Sequence, residues 1–264
     1  MLWSEDLWGM PWIETNRRIF PPMLVKTSGI VLRNLKYGES SLIVDIFSRD
    51  LGLQSYLVNG ARKPRASMAA SLFQVMNQLD LVVYHHDKSS LKRVKEVTPI
   101  KVYQRIPVDI RRSSIGVFLV EVIRNSLPHT EANEELYDYL SEMFTMLDES
   151  RRDLPVFALR VMLDLTRYLG FQPGEQHDPA EVYFDLQEGT YIPRIPDHAY
   201  FLSPEATRAL APLREPLGFD DMPPGMTSGL RQTLMDGLLL YYQLHLDQFR
   251  EPRSRAILHQ VLSS

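Results

Sequence analysis

Cysteine is missing from all 264 residues, which excludes disulfides and any metal site built on thiolate, and fits a reducing compartment. Long apolar runs are missing as well. No stretch approaches the roughly 20 residues needed to cross a bilayer. The opening MLWSEDLWGMPW places acids where a secretory leader carries positive charge, and no apolar segment follows it. A cytoplasmic protein with no membrane contact is therefore expected. Enzyme signatures are lacking too. There is no Gly-rich loop ending in Lys-Ser/Thr, as P-loop nucleotide hydrolysis requires, and no Gly-x-Ser-x-Gly elbow. Without a thiol nucleophile either, no catalytic constellation assembles, and the chain reads as a non-enzymatic protein with no cofactor and no metal.

Lysine is unevenly distributed, and Lys101 is the last one. The net charge of −4 hides this asymmetry. From Leu24 to Ile106 there are 13 Lys+Arg against 6 Asp+Glu, whereas from Pro107 to Ser264 there are 14 against 24. A basic module joined to an acidic one points to a polyanion as partner of the first and something else as partner of the second.

Residues 1–22 hold all three tryptophans (Trp3, Trp8, Trp12), end in Phe20-Pro21-Pro22 and show no sustained period, so they read as an N-terminal extension. Residues 23–106 carry strand patterns. Gly29–Arg33 is β-branched and apolar, and Leu42, Val44 and Ile46 alternate with Ile43, Asp45 and Phe47. Arg49–Gly52 is a hairpin turn before a strand at Gln54–Val58, Leu72–Met76 forms a short helical plug, and Leu79–Tyr84 and Leu91–Val97 flank a second hairpin. Five short strands in about eighty residues point to a small closed barrel of the OB type.

After Pro107 the period becomes helical. Ile115, Leu119, Val122 and Ile123 precede a stop at Leu127-Pro128, with Thr130 as an approximate cap for the next helix. Leu136, Leu140, Met143, Phe144 and Leu147 form an amphipathic stripe. Pro155–Leu169 is a third helix with Gly170 at its C-cap, Ser203-Pro204-Glu205 starts a fourth, and two more run over 227–246 and 254–262. The fold class is thus α+β: an N-terminal five-stranded OB-fold β-barrel over 23–106, followed by a helical domain over 107–264. An irregular insert at about 173–202 interrupts the helices.

The cations of the barrel cluster at strand ends and loops: Arg33 and Lys36, then Arg62, Lys63 and Arg65, then Lys92, Arg93 and Lys95. Such a groove suits a nucleic-acid backbone, because each neutralised phosphate releases condensed counterions. On the last strand Arg93 and Lys95 share one face, with Lys92 and Val94 on the other. Tyr37, Tyr56 and Tyr84 interleave with these charges and offer stacking surfaces to unpaired bases, although each serves equally as a rim residue of the barrel. Nothing resembles a base-reading helix, so little sequence specificity is expected. Two rivals stay open. His177-Asp178 with Asp197-His198 is a candidate metal site for a metal-dependent nucleic-acid enzyme, and an RNA-associated OB module is the other. His85-His86-Asp87 is read as a surface hairpin end, since adjacent strand residues face opposite ways. Glu131, Glu134, Glu135 and Asp138 read as a solvated helix face.

In order, Lys26-Thr27-Ser28-Gly29-Ile30-Val31-Leu32-Arg33, Tyr37-Gly38-Glu39-Ser40-Ser41, Phe47-Ser48-Arg49-Asp50-Leu51-Gly52 and the loop Asn59-Gly60-Ala61-Arg62-Lys63-Pro64-Arg65 resemble the N-terminal barrel of the RecO family. Leu165–Pro173 is similar to the end of that family's helical bundle. The resemblance covers most of the chain after Met23. It implies a DNA repair and homologous recombination mediator, cytoplasmic and associated with the nucleoid. Such a protein binds single- and double-stranded DNA, anneals complementary strands and helps load recombinase onto strands coated by single-strand-binding protein. The implied partners are a RecR-type protein and the acidic tail of single-strand-binding protein, which docks on the helical domain. Many members carry a four-cysteine zinc module after the Gly-Phe-x-Pro segment; here Gly174 to Leu202 has no cysteine. Packing of Tyr183, Phe184, Tyr191 and Tyr200 is expected to hold that stretch instead. For the tail, an apolar pocket rimmed by arginine is needed, and Arg160 and Arg167, seven apart on one helix, are the candidates.

Overall fold

Five strands of alternating apolar residues form the first half: β1 (Met23–Tyr37), β2 (Ser41–Ser48), β3 (Gly52–Val58), β4 (Gln78–His85) and β5 (Lys92–Pro99). They are seen in a computed structural model that describes residues 23–63, 69–85, 91–127, 131–151, 154–214 and 222–263. Gly29–Arg33 is only the middle of β1, which is long because it serves two neighbours. Its first half pairs antiparallel with β4 and its second with β2. β3 and β5 pair in parallel through Tyr56–Lys92 and Leu57–Arg93, closing the sheet in the order β1-β2-β3-β5-β4. Closure leaves no free edge, and the result is the OB-type barrel of the sequence reading. Val31, Val44, Ile46, Tyr56, Val58, Leu79, Leu81 and Val83 fill its interior, together with Phe73 from a short 3-10 turn at Ala70–Phe73.

Six helices follow among the described residues: α1 (Ile110–Ser126), α2 (Glu134–Glu149), α3 (Phe157–Leu169), α4 (Pro204–Arg214), α5 (Ser228–His245) and α6 (Arg255–Ser263). Their ends obey local chemistry. The Asp109 carboxylate accepts the Arg111 and Arg112 amides at the start of α1, and Asn133 caps α2 by accepting the Leu136 amide at 2.9 Å. Thr130, the approximate cap of the sequence reading, lies outside the described residues. Gly170 closes α3 at φ 83°, a left-handed position that glycine takes without strain. The Leu136–Leu147 stripe packs on Phe157, Val161 and Leu165 of α3 and Phe118, Leu119 and Val122 of α1. That core continues into the barrel through Ile30, Leu32, Phe47 and Leu53.

Charged contacts fix the joint between the halves. Buried Asp45 on β2 accepts Arg33 Nε at 2.6 Å, Ser55 Oγ at 2.7 Å and, from α1, Arg124 Nε at 3.2 Å. Buried Asp148, near the end of α2, accepts the amides of Gln104, Arg105 and Ile106 at 3.0, 2.8 and 2.9 Å, pinning the connector between barrel and α1. Arg49 reaches Glu134 and Asp138 on α2, both at 3.1 Å. The β2–β3 turn touches the lead-in to α2 so closely that a Cβ on Gly52 (φ 64°) would lie 2.2 Å from the Glu131 carbonyl oxygen.

The insert is more regular than expected. β6 (Tyr183–Asp185), β7 (Thr190–Ile192) and β8 (Phe201–Leu202) form a sheet in the order β7-β6-β8. Phe184 packs edge-on against Tyr191 at 5.0 Å and Tyr241 of α5 at 6.0 Å, and Tyr183 packs on Phe201 at 5.8 Å. Tyr200, named above for the same packing, is exposed and lies beside His198 instead.

Gly52→Ala combines a strained backbone with a backbone clash, so it is expected to cost on the order of 3 kcal/mol in urea unfolding. Stability against acid follows from the carboxylates. Burial pushes Asp45 and Asp148 up most strongly, yet Arg33, Ser55 and Arg124 for the first, and three amides for the second, bring both below the usual value of 3.8. Both acids bind their protons more weakly folded than unfolded. Their contribution is therefore complete above about pH 5 and lost as pH falls through the lowered folded values. Asp164 runs the other way: burial, opposed by the Tyr139 hydroxyl, raises its value and removes some stability once pH exceeds the ordinary value. Asp45→Asn is expected to flatten the acid limb of a pH–Tm profile.

Candidate nucleic-acid interface

The barrel's pairing brings distant basic segments to one end. Tyr37 pairs with Ser41, Leu42 with Val58, and Leu57 with Arg93, so the end of β1, the end of β3 and the start of β5 adjoin. The loop after β3 leans on the β1–β2 turn. The Arg62 amide donates to Ser40 O at 3.0 Å, Arg62 Nη1 reaches Gly38 O at 3.4 Å, and buried Ala61 anchors the loop. Lys36, Arg62 and Lys63 thereby share one exposed rim, while Arg93 and Lys95 point outward from β5. Lys95 is also 3.1 Å from Glu96, an exposed pair of little strength. Arg65 lies outside the described residues, as do His86 and Asp87.

Two of the basic residues sit differently. Lys92 is only 6% exposed, and its ammonium donates to Gln54 Oε1 inside the barrel. The alternation that sends Arg93 and Lys95 outward sends Lys92 inward with Val94, so it is a core cation with no access to a backbone phosphate. Arg33 is partly exposed but tied to Asp45, which it shares with Arg124. Of the tyrosines, Tyr37 and Tyr84 are exposed and Tyr56 is fully buried. Desolvation lifts the Tyr56 hydroxyl to about 12, with Ser48 opposing.

Lys26 was not among the sequence candidates, yet it is exposed on β1. The signal was the strand's true start at Met23, six residues before the stretch that reads as strand. Sequence reading also missed a cleft of about 1420 Å³ between barrel and helices, lined among others by Arg33, Leu35, Arg124, Tyr168, Phe249 and Arg250.

The docking pair does not form one rim. Arg160 is 3% exposed within the bundle, whereas Arg167 is exposed at the end of α3, with its guanidinium 4.7 Å over the Tyr168 ring. The seven-residue spacing gives them similar azimuth, but α3 runs from the buried middle of the bundle to its surface. The rival metal site does not assemble either. His198 Nε2 is 3.2 Å from Asp185 rather than beside His177, which is exposed. Among the described residues no three His, Asp or Glu side chains converge as a metal ion would need. No helix of the described residues is long and apolar enough to cross a membrane.

Replacing Lys92 by alanine is expected to lower unfolding stability by about 2 kcal/mol through loss of a buried charged hydrogen bond. Arg93→Ala, at an exposed position, should leave the urea midpoint nearly unchanged.

Comparison with known proteins gives matches along both halves. The pattern described as Recombination protein O N terminal matches residues 23–103, and Recombination protein O C terminal matches residues 107–255. The chain is 36% identical over 245 residues to DNA repair protein RecO of Flavobacterium johnsoniae, covering 91% of this chain and 100% of the relative. It is 33% identical over 243 residues to DNA repair protein RecO of Christiangramia forsetii, covering 90% and 99%. It is 31% identical over 242 residues to DNA repair protein RecO of Bacteroides fragilis strain YCH46, with the same two coverages. Barrel and helices match in the same order and nearly end to end: the chain belongs to the RecO family.

Proposed function

We propose that this protein is a DNA repair and recombination mediator that works without catalysis, holding DNA on its barrel. The observation that carries this reading is the group of exposed cations Lys36, Arg62, Lys63, Arg93 and Lys95 around one end and wall of the barrel, beside the exposed rings of Tyr37 and Tyr84. Cations spaced along a groove neutralise phosphates whatever the base sequence, and aromatic faces take unpaired bases. Single- and double-stranded DNA are both suitable ligands, and Arg65, two residues after Lys63 in the sequence, is proposed to join these cations. We further propose that it anneals complementary strands and loads recombinase onto strands coated by single-strand-binding protein, with a RecR-type partner and a place with the nucleoid in the cytoplasm, a reading that the match to the RecO family supports.

The acidic helical half leaves the polyanion to the barrel and is available to proteins. For the acidic tail of single-strand-binding protein, Arg160 and Arg167 give way to a small apolar groove lined by Pro155, Ala158, Leu159, Met235 and Leu258, with Arg231 and with Arg255, which pairs with Asp236 and Glu251. An apolar slot beside guanidinium groups is what an acidic peptide ending in an aromatic residue requires.

Binding of single strand and duplex should weaken steeply between low and moderate salt, since phosphate contacts dominate. A flat response would remove the backbone from the interface. Alanine at Arg62, Lys63 and Arg65 together should weaken every DNA sequence about equally, by roughly tenfold or more, and lower the salt slope by about 2 to 3. An unchanged Kd would take that loop out of the site. An RNA oligonucleotide that outcompetes DNA would favour the RNA-associated reading.

A further inference from the structure

Residues 100–110 join the barrel to the helical half in a compact turn around the end of α2. The amides of Gln104, Arg105 and Ile106 donate to Asp148, and those of Val108 and Asp109 donate to the Arg105 carbonyl. Arg105 Nη1 donates to the Ser150 carbonyl at 2.6 Å. Lys101 is paired with Glu149 at 2.6 Å, and Arg112 with Asp109 at 3.1 Å. These polar groups are engaged within the chain, and the side chains left toward solvent are largely apolar. Val108 is 83% exposed, Val102 and Ile110 are both 68% exposed, Ile100 is 45% exposed, and Val117 continues the group along α1. Single apolar side chains on a surface are ordinary, whereas four within one short turn form a patch. They leave on the order of 400 Å² in water, a size that marks interaction sites.

We propose that this patch joins two copies of the chain about a two-fold axis. A two-fold axis sets a surface against itself, which suits a patch that is apolar in the middle and bordered by charges of both signs, in the pairs Lys101–Glu149 and Arg112–Asp109. A polyanion or an acidic peptide would instead need a border of one sign. Position favours a second copy as well. β5 starts at the rim that holds Lys36, Arg62 and Arg93 and ends at Pro99, where the patch begins. Its length puts the two about 25 Å apart, so a copy docked on the patch leaves the rim uncovered. The four side chains supply about half of the roughly 800 Å² that one partner gives to a standard interface, a size that fits a reversible dimer rather than an obligate one. Such a dimer carries two basic rims and is bivalent for DNA. That consequence alone rests on the barrel being the DNA interface.

The test is analytical sedimentation of the full-length chain, free of DNA, from about 1 to 200 µM, a range that brackets micromolar dissociation constants. The parent should pass from monomer to dimer across it. Val108→Asp combined with Ile110→Asp places four carboxylates in the two-fold contact and should weaken the dimer about a hundredfold. Val108→Leu should dimerise like the parent, and so should Ile195→Asp, a change at an exposed apolar residue of the insert. Circular dichroism and the urea midpoint check the fold, which the exposure of Val108 and the place of Ile110 in the first turn of α1 favour. A parent that stays monomeric throughout would overturn the proposal and give the patch to a different partner. A double variant that dimerises like the parent, or an equal loss in Ile195→Asp, would overturn it too. Bivalency is read separately, by energy transfer between donor- and acceptor-labelled oligothymidylates of about thirty nucleotides, which cannot pair with each other. The parent should bring the two labels together, and the double variant should bind either strand equally well without transfer. Undiminished transfer in the variant would remove bivalency through this contact. No DNA binding by the parent would instead sink the barrel as a DNA interface and leave the dimer to stand on its measured mass.

Discussion

A carboxylate cannot stay ionised inside a protein unless donors replace the water it loses. Asp45 meets that condition only by drawing on three elements at once, Arg33 of β1, Ser55 of β3 and Arg124 of α1. The barrel alone supplies two of these partners, so its charge is best compensated when α1 lies against β2. Asp148 applies the same rule to the connector, where the donors are three successive backbone amides. Between them the two acids fix where the helical half sits on the barrel. The Gly52 turn then makes the contact close enough for the apolar core to run through it.

Charge is divided by this arrangement. Arg49 and Lys101 of the basic half contact Glu134, Asp138 and Glu149 of the acidic half, whereas Arg33 is tied to Asp45 within the barrel and Lys92 is turned into it. Lys26, Lys36, Arg62, Lys63 and Arg93 remain on the exposed side. Part of the basic excess therefore serves cohesion between the halves and part faces solvent. Net charge counted along the sequence treats both parts alike.

Strand and helix order was legible because alternation and helical stripes are local properties, and cap residues such as Gly170 and Pro204 mark their own ends. The outward course of Arg93 and the inward course of Lys92 were legible for the same reason, yet Lys92 stayed among the candidates because its burial depends on Gln54 across the barrel. The engagement of Arg33 and the enclosure of Arg160 depend on elements far away in sequence. The adjacency of Leu57 and Arg93 was invisible, because it exists only once the barrel closes through the β3–β5 pair. The insert looked irregular because strands of two or three residues are too short to show a period.

The insert's dependence on Tyr241 bears on the order in which the chain is assembled. A module stapled by a metal ion can organise around its own ligands. Here Phe184, which packs on Tyr191, needs the Tyr241 ring from α5, and Tyr241 is made 57 residues after Phe184. During synthesis the small sheet has no platform until that helix has emerged. Its autonomy is therefore low, and it belongs to the same cooperative folding unit as the C-terminal helices.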